Sequence, residues 1–218
     1  MLAAHWGQPS PAFWTDNAAI INPILFVAGM WALLIGPINS IRLTRQLRRV
    51  QGNRHIEALS HQLLITAHEL CPGLHLEALA VHPWRVNGDQ LERLLGYRIE
   101  RRKDSGVTWT NGRGAVGVCW ETGQDVEADL TGLHVADEAT FMAIPAEHRF
   151  NITWQEYRGT SRYWSIFVTP LKDAKGKFIG CVSVDCTQSD VHKSFIDACN
   201  HRQVTGLVSL LELALRDL

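Results

Sequence analysis

The chain has 218 residues, of which 46% are hydrophobic and 20% are charged, and its formal net charge is -1. This length is sufficient for one domain with a well-packed core beside a short additional segment. A net charge so close to zero gives no overall field that would attract nucleic acid, so we expect no nucleic-acid partner.

An uncharged stretch at residues 17–41 comes first, and it is almost wholly apolar from Ala18 to Ile38. A helix of about 25 residues, rising ~1.5 Å per residue, reaches roughly 37 Å, whereas the hydrocarbon core of a bilayer is about 30 Å thick. The sequence therefore predicts one transmembrane helix over 17–41. The alternative is a helix buried in a protein core, but core helices are usually shorter than this run.

The charges on either side of this stretch predict its orientation. Residues 1–16 contain no Lys or Arg, whereas residues 42–54 contain five arginines and no acidic residue. The positive-inside rule places such a basic segment in the cytoplasm. We therefore expect a single-pass protein of the inner membrane, with its N-terminus outside and residues 55–218 forming a cytoplasmic domain. The arginines are expected to contact anionic head groups, so membrane lipid is a predicted partner.

Amphipathic helices are predicted at both ends of the remaining chain. The first covers 41–70, with a break at Gly52-Asn53 and an end at Cys71-Pro72-Gly73. The second covers 188–218 and would be capped by Ser189 or Asp190. Such helices can pack on their own sheet or pair with a second copy, which predicts a homodimer or larger assembly. Their apolar stripes are Ile56, Leu59, Leu63, Ala67 and Leu70, and Val204, Leu207, Leu211, Leu215 and Leu218.

The middle of the chain is rich in predicted strands. Residues at 161–171 and 177–186 are rich in Val, Ile, Phe and Tyr, and a polar turn ending at Gly176 joins them as a hairpin. Weaker strand patterns occur at 74–86 and 94–102. Residues 135–146 are predicted to be a short helix or irregular.

Gly112, Gly114 and Gly117 have the spacing of a GxGxxG phosphate-binding loop. In a dinucleotide-binding fold this loop follows a buried strand and begins a helix. Here the preceding segment is charged, and Gly123 would end a following helix early. We therefore do not interpret the glycines as a nucleotide site.

Metal binding and disulfide formation are also not indicated. The five cysteines are widely spaced and lack a CxxC motif, which is typical of a reduced compartment. His68, Cys71 and His75 have metal-like spacing, but Pro72-Gly73 separates them and no fourth ligand is evident. We therefore predict no metal site.

Two segments carry the motifs of one domain family. GRGAVGVCWETGQDVEADL at 112–130 resembles the Gly-rich turn, short helix and following strand in the middle of a GAF domain. FVTPLKDAKGKFIGCVSVDC at 167–186 resembles the family's last hairpin. The resemblance covers residues 55–218 and implies an α+β fold. It implies a central antiparallel sheet of about six strands, with N- and C-terminal helices on one face and a ligand pocket on the other.

The resemblance also implies which segments line the pocket. Ligand sites are typically apolar and aromatic, with a few polar anchors. GAF domains bind varied small molecules or none, so the resemblance names neither a ligand nor a cofactor. In these segments the candidate pocket residues are Trp109, Trp120, His134, Trp154, Tyr157, Arg158 and Trp164.

One branch of the GAF family consists of enzymes. Free-methionine-sulfoxide reductases are GAF domains that use cysteine chemistry, and Gly117-Val118-Cys119 matches part of one of their motifs. A thiol that reduces a sulfoxide needs a second thiol to resolve the sulfenic acid, and the family's further cysteine positions are not matched. We therefore predict no catalytic residues.

Together these patterns predict a membrane-anchored sensory or regulatory protein that binds a small ligand or partner and signals through its helices and oligomerisation. The alternative is a membrane-associated effector or scaffold whose GAF-like domain holds a protein partner without a small ligand. A methionine-sulfoxide reductase is a minor alternative.

Overall fold

The computed structural model describes residues 11–94, 97–98 and 106–216. The chain divides into two compact units, Met1–Arg49 and Val50–Leu218. The predicted N-terminal segment 1–16 lies partly outside the described residues, as do the side chains at 32–50.

The first unit is helical where it is described. Helix α1 covers Pro11–Asp16, and helix α2 covers Ala18–Leu70. Several large apolar side chains of α2 are exposed, among them Ile24, Phe26, Val27 and Trp31 at 60–71%. In the described part of the chain, no helix combines the length and the apolar character required for a membrane span.

The predicted break at Gly52-Asn53 is wrong, because both residues are helical within α2. A single glycine inside a helix costs only about 1 kcal/mol relative to alanine, and the packed turns that follow outweigh this cost. The helix ends at Leu70 as predicted, before Cys71-Pro72-Gly73, where Gly73 has a φ of 81°.

The second unit is built on an antiparallel sheet, which confirms the α+β prediction. Within the described residues the strand order is β4-β2-β1-β7-β6-β5, and β3 also pairs with β1. The strands are β1 Leu79–Asn87, β2 Gln90–Arg93, β3 Tyr97–Arg98, β4 Trp109–Thr110, β5 Val126–Asp129, β6 Ser165–Lys172 and β7 Phe178–Cys186. The remainder of the strand predicted at 94–102 lies mostly outside the described residues.

The predicted hairpin forms the centre of this sheet. Strands β6 and β7 pair with Phe167 opposite Val184, and β7 also pairs with β1. In the turn, the Asp173 carboxylate accepts hydrogen bonds from the backbone N–H groups of Lys175 and Lys177 at 2.8 and 2.9 Å. The hairpin therefore places β7 in the middle of the sheet, where its side chains contact both layers.

Helices cover one face of the sheet. The C-terminal part of α2, helix α6 (His192–Cys199) and helix α7 (Arg202–Arg216) pack there around a buried cluster. Both predicted stripes take part in this packing, although Leu218 lies outside the described residues. Members of this cluster that are fully buried include Ile56, Leu63, Phe195, Val204 and Leu211.

The prediction of one C-terminal helix capped by Ser189 or Asp190 is wrong. The chain turns at Asn200-His201 between α6 and α7, and α6 begins after Val191 with no side-chain cap. Asp190 is engaged elsewhere, because its carboxylate accepts a hydrogen bond of 3.1 Å from the Gln188 amide.

Three short helices lie on the other face of the sheet: α3 (Gly114–Thr122), α4 (Glu138–Ala143) and α5 (Trp154–Thr160). They pack with the sheet around a second buried cluster that includes Cys119, Ala128, Phe141 and Val168. Helix α3 ends at Thr122, and Gly123, which follows it, has a φ of 62°. Helix α4 falls in the region predicted to be a short helix or irregular. The two-faced arrangement is the one expected from the sequence.

Candidate functional site

A cavity lies on this second face of the sheet, between the central strands and the helices α3 and α5. It measures about 80 Å³, counted as the space open to the centre of a water molecule, and it is partly open to solvent. By the same measure one water needs about 10–15 Å³. The cavity therefore has room for several waters or for a small organic molecule.

The floor of the cavity is a polar strip on the two central strands, formed by His82 and Trp84 of β1 and by Ser183 and Asp185 of β7. Alternate residues of a strand point to opposite faces, so these four face the cavity while their neighbours face the helices. His82 is paired directly with Ser183 in the ladder. We call these four residues the polar floor.

Contacts within the polar floor run diagonally between the strands. His82 Nε2 lies 3.4 Å from Asp185 Oδ2, and Trp84 Nε1 donates a hydrogen bond of 3.3 Å to Ser183 Oγ. His82 and Ser183 are 2% exposed, and Asp185 is 6% exposed. Burying polar and ionisable groups costs free energy that an apolar sheet face would not incur. A cluster of this kind at the bottom of a cavity is therefore a candidate binding site.

Two arginines stand in the wall of the cavity. Arg93 of β2 pairs with Trp84 of β1 in the ladder between these strands. Its guanidinium carbon lies 6.0 Å from the centre of the Trp84 ring. Arg162 stacks on Tyr163 at 4.8 Å and donates a hydrogen bond of 2.9 Å to the Tyr163 hydroxyl. The ring contact and the hydrogen bond hold the Arg162 guanidinium in place next to the cavity, whereas Arg93 lies at the outer limit of a cation–π contact with Trp84.

The remaining wall is apolar and aromatic. It includes Trp109, Val116, Leu133, Phe150, Ile152 and Tyr157. Burial raises the pKa of the Tyr157 phenol above its ordinary value, so this hydroxyl is neutral at physiological pH.

The three glycines of the GxGxxG pattern shape this wall by close packing. Gly114 has a φ of 69°, and a Cβ at this position would lie 2.5 Å from the Trp109 ring. A Cβ on Gly117 would lie 2.2 Å from the carbonyl oxygen of Thr110. Gly112 has a φ of 74° in the turn before α3. The glycines therefore serve the contact between α3 and the segment around β4.

Two of the seven predicted pocket residues line this cavity, namely Trp109 and Tyr157. Trp120 lies outside its lining and stacks on Phe178, with ring centres 6.0 Å apart. Arg158 is exposed on α5 and is also not part of the lining.

The other three predicted residues form aromatic contacts beside the cavity. His134 stacks on Trp164 with ring centres 3.6 Å apart, and its Nε2 lies 2.9 Å from the carbonyl oxygen of Tyr163. Trp154 packs on Phe141 at 5.5 Å and on Tyr157 at 5.4 Å. These residues support the wall from behind, and none of them lines the cavity.

The sequence reasoning missed the polar floor and both wall arginines. One usable signal was the alternation in the last strand, where Ser183 and Asp185 stand among buried apolar residues and must share one face. His82 and Trp84 show the same spacing in β1, but only the register of the sheet brings the two pairs together.

The cysteines do not form an accessible reactive site. All five are unbridged and buried. Cys119 and Cys181 are neighbours, and burial, together with this contact, raises the pKa of Cys181 well above the ordinary value. A reductase needs an accessible thiolate, so this geometry does not favour the Cys119 alternative.

A Ser-His-Asp grouping lies outside the cavity lining. Ser165 Oγ is 2.8 Å from His192 Nδ1. Hydrogen bonds from Thr131 lower the pKa of Asp129, and the charge of His192 adds to this effect. Because Ser165 is fully buried, its hydroxyl cannot reach a substrate. The contact instead links β6 to α6. Among the described residues no group of three or more His, Cys, Asp or Glu side chains could hold a metal ion.

The fold and the cavity define this part of the chain as an α+β domain that carries a buried polar site on one face of an antiparallel sheet. No family model matches the chain, and no curated protein does.

Among solved structures, the chain is similar to a type II free methionine-R-sulfoxide reductase from Thermoplasma acidophilum, with 13% identity over 74% of this chain and 94% of that one and a TM-score of 0.45. It is similar to the GAF domain of a two-component sensor histidine kinase from Bacillus halodurans, with 14% identity, 74% and 93% coverage and a TM-score of 0.44. The Nlh2 GAF domain of A. aeolicus is a third case, with 16% identity, 78% and 98% coverage and a TM-score of 0.39. Likeness at these values assigns neither a family nor an activity to this chain.

Proposed function

We propose that this chain is a membrane-anchored sensory or regulatory protein whose GAF-like domain binds a small molecule in the cavity above the polar floor. The GAF assignment is supported by the two motif-bearing segments, which form α3 with β5 and the β6–β7 hairpin. It is also supported by the arrangement of helices on one sheet face and a cavity on the other, which the resemblance implies.

The buried polar floor carries the proposal. An ordinary sheet face of this size would be covered by apolar side chains, as the opposite face is. Here a His82–Asp185 contact, a hydroxyl and an indole N–H lie in the floor of an aromatic cavity instead. Ligand sites have this composition, with apolar walls and a few placed polar groups.

We propose the inner membrane as the location, with a short N-terminus outside and residues 55–218 in the cytoplasm. The apolar side chains exposed on α2, such as Phe26 at 71% and Val27 at 62%, need a cover in the native environment, and lipid would provide it. The arginines at 42–54 would contact anionic lipid on the cytoplasmic side.

Signalling is proposed to pass through the helices at 41–70 and 188–218, in a homodimer or larger assembly. Helix α7 exposes Leu210 at 48% and Leu213 at 53%, on the side opposite its buried stripe. Apolar side chains at this spacing can form a contact between helices.

A matched pair of threonine substitutions tests ligand binding in the cavity. Thr160 and Thr122 are each the last residue of a short helix, and each hydroxyl bonds the carbonyl oxygen four residues earlier. Only Thr160 lines the cavity. We expect the detergent-purified chain to release a small molecule detected by mass spectrometry, or to gain thermal stability from one member of a metabolite panel. Thr160→Phe should abolish either signal, and Thr122→Phe should not.

Other outcomes would favour the competing functions. A chain with no retained molecule, no thermal shift and identical behaviour of both variants would contradict ligand binding. A protein that then co-purifies at fixed stoichiometry would favour the scaffold. Methionine-sulfoxide reduction that is lost in Cys119→Ser would favour the reductase.

A further inference from the structure

We propose that the cavity selects a small organic anion with a flat apolar body, of the aromatic carboxylate class. This inference rests on the proposed function, because it names the class of ligand for the same cavity. It depends on the charges, the donors and the aromatic surfaces that the described residues bring to the cavity wall.

The charges of the cavity wall favour an anionic ligand. Of the described residues that line the cavity, Arg93 and Arg162 are cationic, and Asp185 is the one carboxylate. This carboxylate is already in contact with His82 at 3.4 Å. Among the described residues Arg162 contacts the ring and the hydroxyl of Tyr163 and no carboxylate, so a negatively charged ligand group would supply its counter-charge. In a partly desolvated cavity such a charge interaction is stronger than in water.

The hydrogen-bond donors of the wall match a carboxylate in their geometry. A guanidinium group presents five N–H donors in a planar fork that matches both oxygens of a carboxylate. Stacking on Tyr163 and the bond to its hydroxyl fix the plane of the Arg162 group in advance. A group held in this way loses little side-chain entropy when it binds an anion.

The N-terminus of α3 adds to these two cations. Gly114, Ala115 and Val116 are the first residues of this helix, and all three line the cavity. Gly114 N–H donates to the carbonyl oxygen of Phe150 at 2.8 Å. The next N–H groups have no acceptor within their own helix, and the helix dipole makes this end partly positive. The wall at α3 thus has the same sign of potential as the arginines.

The aromatic rings of the wall favour a flat, apolar ligand body. The cavity is bounded by the rings of Trp84, Trp109, Phe150 and Tyr157. Flat aromatic walls favour a ligand whose rings can stack or pack edge-on against them. A strongly hydrated ligand such as a sugar or a polyphosphate would lose its water without enough polar partners in return.

Three probes of nearly equal shape test the class of ligand: benzoate, benzamide and benzylammonium. They carry one negative charge, no charge and one positive charge on the same ring. Binding is measured by isothermal titration calorimetry on the full chain in a non-ionic detergent after exhaustive dialysis. We expect benzoate to bind at least tenfold more tightly than benzamide, and benzylammonium to show no binding.

Arginine variants locate the effect in the cavity. Arg162→Met is expected to weaken benzoate binding at least tenfold while leaving benzamide unchanged, and Arg162→Lys should restore part of the affinity. Arg158→Met is the control, since Arg158 is an exposed arginine of α5 outside the cavity lining. An equal loss in the Arg158→Met variant would mean that the net charge of the surface, not the cavity, attracts benzoate.

The outcomes separate this inference from the proposed function. If benzamide or benzylammonium binds as tightly as benzoate, or if the molecule released from the purified chain is neutral or cationic, the anion class is wrong while the cavity remains a ligand site. The ligand class is also wrong if no probe binds while the comparison of Thr160→Phe with Thr122→Phe reveals a bound metabolite. If that pair also shows no difference, both proposals fail.

Discussion

Gly114 lies beneath the indole of Trp109 with a φ of 69°, and a Cβ there would come within 2.5 Å of the ring. A non-glycine residue in this backbone region costs roughly 1–2 kcal/mol, and forcing extra volume into a packed site typically costs about 1–3 kcal/mol. We therefore expect Gly114→Ala to lower the free energy of unfolding by about 2–5 kcal/mol, measured by urea denaturation.

Gly132 provides the matched control for this substitution. It is exposed in a short 3₁₀ turn at Thr131–Leu133, and a Cβ there meets nothing within 4 Å. Gly132→Ala should change the stability by no more than about 0.5 kcal/mol. If both variants behave alike, the Trp109 ring does not depend on Gly114 for its place in the cavity wall.

Because of Cys186, the stability of the domain is expected to depend on pH in the alkaline range. Burial raises the pKa of this thiol from the ordinary 9.0 to about 11. Well below pH 9 the thiol is protonated in both states. Between pH 9 and 11 the thiol releases its proton mainly in the unfolded chain. The free energy of unfolding therefore falls as the pH rises. The loss is about 1.4 kcal/mol per unit of pKa shift, or roughly 2–3 kcal/mol in total.

The test compares the chain with its Cys186→Ala variant by urea denaturation in reductant at pH 8, 9.5 and 10.5. Tyrosines, lysines and the other thiols titrate in both proteins, so the difference between the two curves isolates Cys186. The variant is expected to lose less stability on going to pH 10.5. Parallel curves would show that this thiol ionises in the folded domain as it does in water.

At the level of single residues, the sequence predicted the aromatic part of the wall better than the polar part. Trp109 and Tyr157 were identified because aromatic residues in the middle segments stand out by composition. His82 and Asp185 are separated by a hundred residues and meet only through the β1–β7 register. No local pattern contains that register, so their pairing could not be inferred from one sequence.

Among the elements, helix α7 contains a glycine that the fold does not require. Gly206 is exposed within the helix, and a Cβ there meets nothing within 4 Å. Gly176, in the β6–β7 turn, is equally open but has a φ of 79°. Gly206→Ala is therefore expected to stabilise the domain by about 0.5–1 kcal/mol, and Gly176→Ala to destabilise it by about 1–2 kcal/mol.

The same urea denaturation experiment measures both substitutions, and the prediction is the opposite sign of the two changes. Because the surroundings of both glycines are empty, backbone conformation is the main difference between them. A loss of stability in Gly206→Ala would contradict this reasoning and would indicate that this face of α7, next to the exposed Leu210, is covered in an assembly.

Long elements with a strong pattern were predicted well, and short or context-dependent ones were not. The β6–β7 hairpin has dense β-branched residues around a polar turn, and its bounds agree with the prediction within a few residues. Strands β2 and β4 contain four and two residues, too few for a period of two to be recognised. The turn at Asn200-His201 was missed because the apolar stripe of α7 alone does not fix where the helix begins.

At the scale of the whole molecule, the packed interior belongs to one of the two units. Both buried clusters consist of residues between Ile56 and Leu215, all within Val50–Leu218. In the other unit, the large apolar side chains that the structure describes are exposed. The membrane anchor that we propose would need this division, since a folded binding domain and an apolar anchor require different solvents.

The proposed anchor makes a prediction about where the chain partitions. The full chain should stay with vesicles that contain anionic phospholipid through a wash with alkaline carbonate, whereas a chain that begins at Val50 should stay in the supernatant. Because both clusters lie after residue 50, the shortened chain should keep the urea midpoint of the full chain.

Replacing Ile24 and Val27 together by Arg should release the full chain from the vesicles, since each charge near the centre of a membrane helix costs about 2.5–3.5 kcal/mol. Gln51→Arg, an exposed position in the basic segment, is the control and should remain bound. A full chain that is recovered in the supernatant like the shortened one would contradict the anchor, and its exposed apolar residues would then have to be covered by protein.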